Sequence, residues 1–277
     1  MTWTLATIVL VLMFAIALYL VGFLLFKQDG RKVSTGSIIL TKVINLIAII
    51  LIAGCVCRLV TPMYLTKFNP AILQEMVAEM QVQQEEAKNR LVRDYVTKHA
   101  DEMVGNAPIA GNVDAKKTIF LWSDYSCPYC RRVHSDLMRV LAERKDVRVV
   151  LKNFSIHGPL SDAPAKAVIA AKIQDNAKAA ALDKLLMDKE YYKQEDLKDQ
   201  AKLPEVIEAN VMKLAKEAGL DTKKLAEDMK GEIVKKELMN VRELAQRFEI
   251  SGTPYLIIGE KAFPGAIPYG RIMEALK

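Results

Sequence analysis

Hydrophobic and polar positions change their rhythm several times along the chain. Residues 3–26 form a stretch of 24 without a charged side chain, and a second apolar run covers 37–60 with Lys42 and Arg58 towards its ends. Runs of this length cross a bilayer as helices, for which about 20 residues suffice. From 69 to 104 the pattern is sparser. Leu73, Met76, Met80, Ala87, Leu91 and Tyr95 recur at spacings of 3, 4, 7, 4 and 4, with Gln83 and Gln84 in the central slot. Asn69 as N-cap and Pro70 in the first turn predict a long helix there. It is either a stalk that pairs with copies of itself or a helix lying along the domain that follows. After Gly105, Pro108 and Gly111, short apolar runs predict strands at 118–122 and 147–156, with a helix at 131–143 through Val133, Leu137 and Val140 between them. A largely helical block at 161–246 leads to a strand at 255–258, a turn at Gly259, a strand at 261–263, and a short amphipathic helix from Pro268 through Ile272, Met273 and Leu276.

This organisation predicts three parts: a two-helix transmembrane anchor at 1–60, a connecting helix at 61–106, and an α/β domain at 107–277. A cleaved signal peptide fits the first run poorly, because no Lys or Arg precedes it and no small-x-small site follows. The loop between the runs carries Lys27, Arg31 and Lys32, which the positive-inside rule places in the cytoplasm. The expectation is a two-pass protein of a bacterial inner membrane with its large domain facing the periplasm. Composition agrees: 51% of residues are hydrophobic, with the excess in the first 60. Those 60 residues hold five Lys/Arg and one Asp, leaving +2 of the net +6 for the other 217. There Lys and Arg interleave with Glu and Asp, which is no nucleic-acid footprint.

The four cysteines form two close pairs, too few for a disulfide scaffold. Cys55 and Cys57 are two apart on an expected helix and cannot bond to each other there. They read as small apolar side chains, or else as an electron relay or an interchain bridge. Cys127-Pro128-Tyr129-Cys130 follows the strand at 118–122 and opens a helix. Free N–H groups and the positive end of the helix dipole stabilise a thiolate at Cys127, and two intervening residues bring Cys130 into range to resolve a mixed disulfide. Pro128 fits the first turn. Zinc sites share the spacing, so the alternative is a copper- or zinc-binding module of Cys127, Cys130 and His134. Ser251-Gly252-Thr253-Pro254 ahead of a strand is a candidate cis-proline turn. The element order is that of a thioredoxin-like sheet with a helical insertion, for which no cofactor or metal is expected.

Asp124 reads equally as a turn cap and as a proton-handling group. His134 is simplest as a packed or solvated helix residue, His157 as a loop residue and His99 as part of the connecting helix. Trp122 reads as core and Tyr125 as lining a substrate surface. The Lys-rich block at 172–248 reads as a solvated face over Ala, Leu and Ile.

FLWSDYSCPYCRRVH, SGTPYLIIG and FPGAIPYGRIMEAL resemble the DsbA-type thiol–disulfide oxidoreductases, and NPAILQEM resembles the stalk helix of the subgroup containing the suppressor-of-copper-sensitivity C proteins. The likeness runs from about 69 to 277. It implies Cys127 as the exposed nucleophile, Cys130 as the buried resolving thiol, and Thr253-Pro254 as a cis-proline loop that pairs with substrate backbone. Strongly oxidising members carry His where this chain has Tyr129, and many relatives carry a buried acid where it has Leu121. Any acid assistance would then come from elsewhere, such as Asp124. The implied partners are cysteine-containing protein substrates and a membrane redox partner for recycling, with the bilayer holding residues 1–60 and a homo-oligomer formed through 69–104. Thr253 tilts the implied activity towards isomerase or reductase rather than oxidase.

Overall fold

The computed structural model describes residues 70–277 continuously, together with 13–17, 20, 42, 43 and 45–57. The chain divides into two compact units, Met1–Gln83 and Gln84–Lys277. In the first, residues 13–17 and 45–57 are helical, with Cys55 buried, Cys57 exposed and both thiols free. The expected two-pass anchor, and the inner-membrane localisation drawn from it, are corrected here. Among the described residues no helix is long and apolar enough to cross a membrane. Most of the first apolar run, 3–26, and both ends of the second, 37–60, lie outside the described residues.

The connecting segment forms two helices, α1 (Pro70–Lys98) and α2 (Ala100–Val104), rather than one. The break is at His99, whose backbone leaves the helical region (φ −129°, ψ 38°) while its ring stacks on Tyr95 at 4.4 Å. Early in α1 the apolar side chains of Ile72, Leu73, Met76, Val77 and Met80 are exposed, whereas Val92 and Tyr95 further on are buried.

The second unit is built on a five-stranded sheet: β1 (Ile109–Gly111), β2 (Lys117–Ser123), β3 (Val147–Asn153), β4 (Tyr255–Ile258) and β5 (Lys261–Pro264). Their spatial order is β1-β3-β2-β4-β5, with only β2 and β3 parallel. Alternation sorts the central strands onto two faces. Leu121, Leu151 and Leu256 share one register row and pack under α3 (Pro128–Glu143) and α9 (Tyr269–Ala275). Phe120, Trp122, Val150 and Ile257 face the other way, against Val92 and Tyr95 of α1 and Val241, Leu244 and Phe248. Both faces are covered, so these strands read as nearly continuous apolar runs. β3 ends at Asn153 rather than 156: Phe154 N makes a last bond to Ser123 O at the end of β2 (2.9 Å), and Ile156 N is then taken by the Asp124 carboxylate at 2.8 Å.

Between β3 and β4 lie α4 (Pro159–Gln174), α5 (Asn176–Asp188), α6 (Leu203–Glu217), α7 (Thr222–Asp228) and α8 (Glu232–Arg247). The first four, with Val234 of α8, form a second core that includes Tyr125, Cys127 and Cys130. The solvated-face reading of 172–248 fails at two residues, Asp183 and Glu237, which are buried. Glu237 pairs with Lys152, a fully buried lysine on β3, at 2.9 Å. Lys152 also donates to Asn240 Oδ1 (2.9 Å) and Val104 O (3.2 Å), while Glu237 Oε2 accepts from Asn106 N at 2.6 Å. Burial pulls the Lys152 pKa down, and Glu237 opposes that shift.

Candidate active site

The two cysteines of the CPYC segment take different positions. Cys127 is the N-cap of α3, extended at φ −80°, ψ 118°, with Pro128 in the first turn where no N–H is needed. Its carbonyl accepts from Cys130 N at 3.1 Å and Arg131 N at 3.2 Å, and its own N–H closes a turn onto Asp124 O at 3.1 Å. Its sulfur therefore lies at the positive end of a 16-residue helix. Expected exposed, Cys127 is 6% accessible, because its Sγ packs 3.5 Å from the carbonyl of Thr253. The Thr253–Pro254 bond is cis, and Pro254 O accepts from Gly265 N at 2.9 Å. The structure thus brings Cys127, Cys130, Thr253 and Pro254 together from sites over 120 residues apart. Tyr129 projects outward, 65% exposed, beside the exposed Pro128.

Cys130 is buried one turn inside the helix. The Asp124 N–H points at its sulfur from 3.4 Å, and both thiols are free. Burial pushes the Cys130 thiol up to about 12; Thr253 and the Asp124 amide pull the other way without cancelling that.

The Asp124 carboxylate is occupied as a turn cap. Oδ1 accepts from Ser126 N (2.8 Å), Ser126 Oγ (2.8 Å) and Ser161 Oγ (2.5 Å), while Oδ2 accepts from Ile156 N (2.8 Å) and His157 N (3.2 Å) and lies 3.0 Å from His157 Nδ1. Burial alone would raise its pKa, but the bonds from Ser161, Ile156, His157 and Ser126 outweigh it and hold the carboxyl below its ordinary range. It ties the redox loop to the β3–α4 loop and turns no oxygen towards either thiol. Leu121, at the position of the relatives' buried acid, is an apolar core residue.

His134 is packed, 1% exposed, with Nε2 2.9 Å from Asp183 Oδ2 on α5. Among the described residues no three His, Cys, Asp or Glu side chains converge as a metal site requires. Tyr125, expected at a substrate surface, is buried, its hydroxyl 2.8 Å from Asp183 Oδ1 and 2.9 Å from Asn153 Oδ1. Trp122 is core as expected, with Nε1 on Val241 O at 3.3 Å. Asp183 escaped the sequence reading although a signal existed. It falls in the buried stripe of α5 with Ala179, Leu182 and Leu186, a polar residue in an apolar row.

A profile described as thioredoxin matches residues 103–277. No curated protein matches the chain. Among solved structures, a thioredoxin-like oxidoreductase from Silicibacter pomeroyi is 30% identical, covering 64% of this chain and 94% of its own (TM-score 0.55). The catalytic domain of Proteus mirabilis ScsC is 27% identical over 66% of this chain and 96% of its own (TM-score 0.54). The thiol–disulfide exchange protein alpha-DsbA2 from Wolbachia pipientis, 20% identical over 69% and 96% (TM-score 0.57), shares the fold. The resemblance to DsbA-type and ScsC proteins read from the sequence is borne out.

Proposed function

Since this chain belongs to the thioredoxin family, we propose that it exchanges disulfides with cysteine-containing protein substrates through Cys127 and Cys130. The observation that carries the reading is the asymmetry of the pair. Cys127 Sγ lies at a helix start 3.5 Å from Thr253 O, with Cys130 behind it and buried.

In the reducing direction the Cys127 thiolate, at the helix N-terminus, attacks one sulfur of a substrate disulfide. The substrate S–S bond breaks and a mixed disulfide with Cys127 forms. Cys130, as thiolate, then attacks Cys127 Sγ, and the second substrate sulfur leaves with the electron pair and takes up a proton. The Cys127–Cys130 disulfide holds the two electrons' worth of oxidation removed from the substrate. Run backwards, the same steps oxidise a substrate dithiol. The cis Thr253–Pro254 loop lies against Cys127 and offers backbone to an extended substrate strand, as in β-strand addition. Tyr129, in place of an imidazole beside the nucleophile, withholds one source of thiolate stabilisation and supports reductase or isomerase action over oxidase action. A redox partner returns the pair to its starting state. The exposed apolar residues early in α1, Leu73, Met76 and Met80, support self-association through 69–104.

The test is equilibration of the full chain in glutathione buffers with alkylation mass shifts read on Cys127 and Cys130. A reversible disulfide with a potential near or below the glutathione couple is expected. Failure to form any reversible disulfide would sink the reading.

A further inference from the structure

Resolution of the mixed disulfide needs Cys130 to give up its proton inside the protein. Burial pushes that thiol to about 12, so left to itself it is ionised to roughly one part in 10⁵ at neutral pH. Asp124, whose amide faces the sulfur, has its carboxylate saturated by its own donors.

His134 stands four residues after Cys130 on the same buried face of α3, and both are 1% exposed. That spacing puts their Cβ atoms about 5–6 Å apart. Side chains on a helix lean towards its N-terminus, so the imidazole is directed over the turn that carries Cys130. Its Nε2 is held by Asp183 Oδ2 at 2.9 Å, whereas Nδ1 is buried and free, bonded neither to Cys130 Sγ nor to any other group.

The proton count around Asp183 fixes the tautomer. Burial and the neighbouring Asp183 push the Tyr125 hydroxyl well above its ordinary pKa, so it stays a donor. It has one proton and faces two acceptors, Asp183 Oδ1 at 2.8 Å and Asn153 Oδ1 at 2.9 Å. Turning the Asn153 amide over removes the conflict and gives Nδ2, otherwise unpartnered, a place to donate. Asp183 then accepts from Tyr125 on one oxygen and from His134 Nε2–H on the other. An imidazole protonated at Nε2 presents its lone pair at Nδ1. The arrangement is a base oriented by a carboxylate one helical turn from a thiol.

We propose that His134 is the internal base for Cys130, with Asp183 and Tyr125 as its positioning residues. The proposal rests on the Cys127–Cys130 redox reading given above. In the resolving step Cys130 S–H and His134 Nδ1, not hydrogen-bonded to each other in the resting structure, close to bonding range; the S–H proton passes to Nδ1 and the Cys130 sulfur bonds to Cys127 Sγ. The Cys127–substrate bond breaks, and the substrate sulfur leaves with its electron pair. The imidazolium, stabilised by Asp183, returns its proton as the departing thiolate is protonated. The titratable groups gathered around the pair are Asp183 on α5, Tyr125 and Asp124 in the redox loop, Cys127 and Cys130 on α3, and Tyr191 beyond α5, whose ring lies under Arg131 at 5.9 Å.

The experiment follows the reduced full chain reacting with excess oxidised glutathione, by acid quench and mass spectrometry. A second-order phase reports attack by Cys127, and a first-order phase reports resolution by Cys130. His134→Gln is expected to slow the first-order phase at least tenfold at pH 7, moving its pH dependence upward towards that of an unassisted thiol, while the second-order phase changes less than twofold. Should that variant not fold, Asp183→Asn carries the test, since it keeps the shape but no longer fixes the tautomer; the same upward move is expected. A first-order phase unchanged within threefold, with an unchanged pH profile, overturns the role of His134 and leaves the redox reading standing. If the unsubstituted protein forms no Cys127–Cys130 disulfide at all, the redox reading fails and takes this proposal with it.

Discussion

Replacing Asp124 with Asn separates a capping role from a catalytic one. The carboxylate receives five donors besides the contact with His157 Nδ1, and its side chain is fully buried. An amide keeps one accepting oxygen. With that oxygen towards Ser126 and Ser161, the NH₂ faces the N–H groups of Ile156 and His157 with the wrong polarity. Each buried donor left unpaired costs about 1–3 kcal/mol, so a loss of about 3 kcal/mol is expected. For a unit of this size that is a fall in Tm of about 6–12 °C. The folded-state pKa of Asp124 is lowered, so its contribution is complete above the ordinary carboxylate range. It is lost as pH falls through the lowered folded value. The gap between the parent protein and Asp124→Asn is therefore widest near neutrality and narrows below about pH 4. Unfolding followed through the buried Trp122 under reducing conditions, at pH 7 and pH 3, measures both quantities. A gap under about 0.5 kcal/mol at pH 7, or one that does not narrow by pH 3, refutes the capping account.

Three further outcomes follow from the geometry. Lys152→Met leaves Glu237 buried without its cation and is expected to cost about 3–5 kcal/mol, whereas Lys152→Met with Glu237→Leu recovers most of that; denaturant titration of the two variants decides. In the reduced protein iodoacetamide is expected to modify Cys127 well before Cys130, whose alkylation accelerates only as pH approaches 12, as peptide mapping will show; comparable rates at pH 8 would contradict the burial argument. Tyr129→His, at a 65% exposed position, is expected to leave stability within about 0.5 kcal/mol. It should shift the thiol–disulfide equilibrium with glutathione towards the dithiol by about tenfold, the equivalent of some 30 mV, since an imidazolium beside Cys127 favours its thiolate.

The parts of the fold and site legible in the sequence are those where local chemistry and tertiary position agree. TIFLW before CPYC is a strand entering a helix, and Thr-Pro before YLII is a turn entering a strand; both are where the spacing puts them. The short edge strand β1 escaped because three residues after Pro108 leave no period to read, and its pairing with β3 is non-local. The break at His99 left no Gly or Pro to mark it. Asp183 and Glu237 were hidden for another reason. A buried carboxylate in a helix looks like a surface one until its partners are known, and Tyr125, His134 and Lys152 lie 49 or more residues away.

The buried Lys152 has a consequence for how the molecule can be taken apart. Its three acceptors come from β3's neighbour α8 and from the carbonyl end of α2, and Glu237 reaches on to the amide of Asn106. Asn89 and Arg93 of α1 add bonds to Ala262 and Glu260 near β5. The lead-in helices are thus latched to the sheet by a cation that has no access to water, and Gly105 at the latch holds φ +54° with no room for a side chain against Glu237. A protease nick in the 105–108 loop would leave the severed helices held by these bonds, and letting them go would take the Val104 carbonyl from Lys152 and open to water a cation still paired with Glu237 and Asn240. A piece that keeps these contacts therefore begins upstream of Asn89, ahead of residue 103 where the thioredoxin profile match starts.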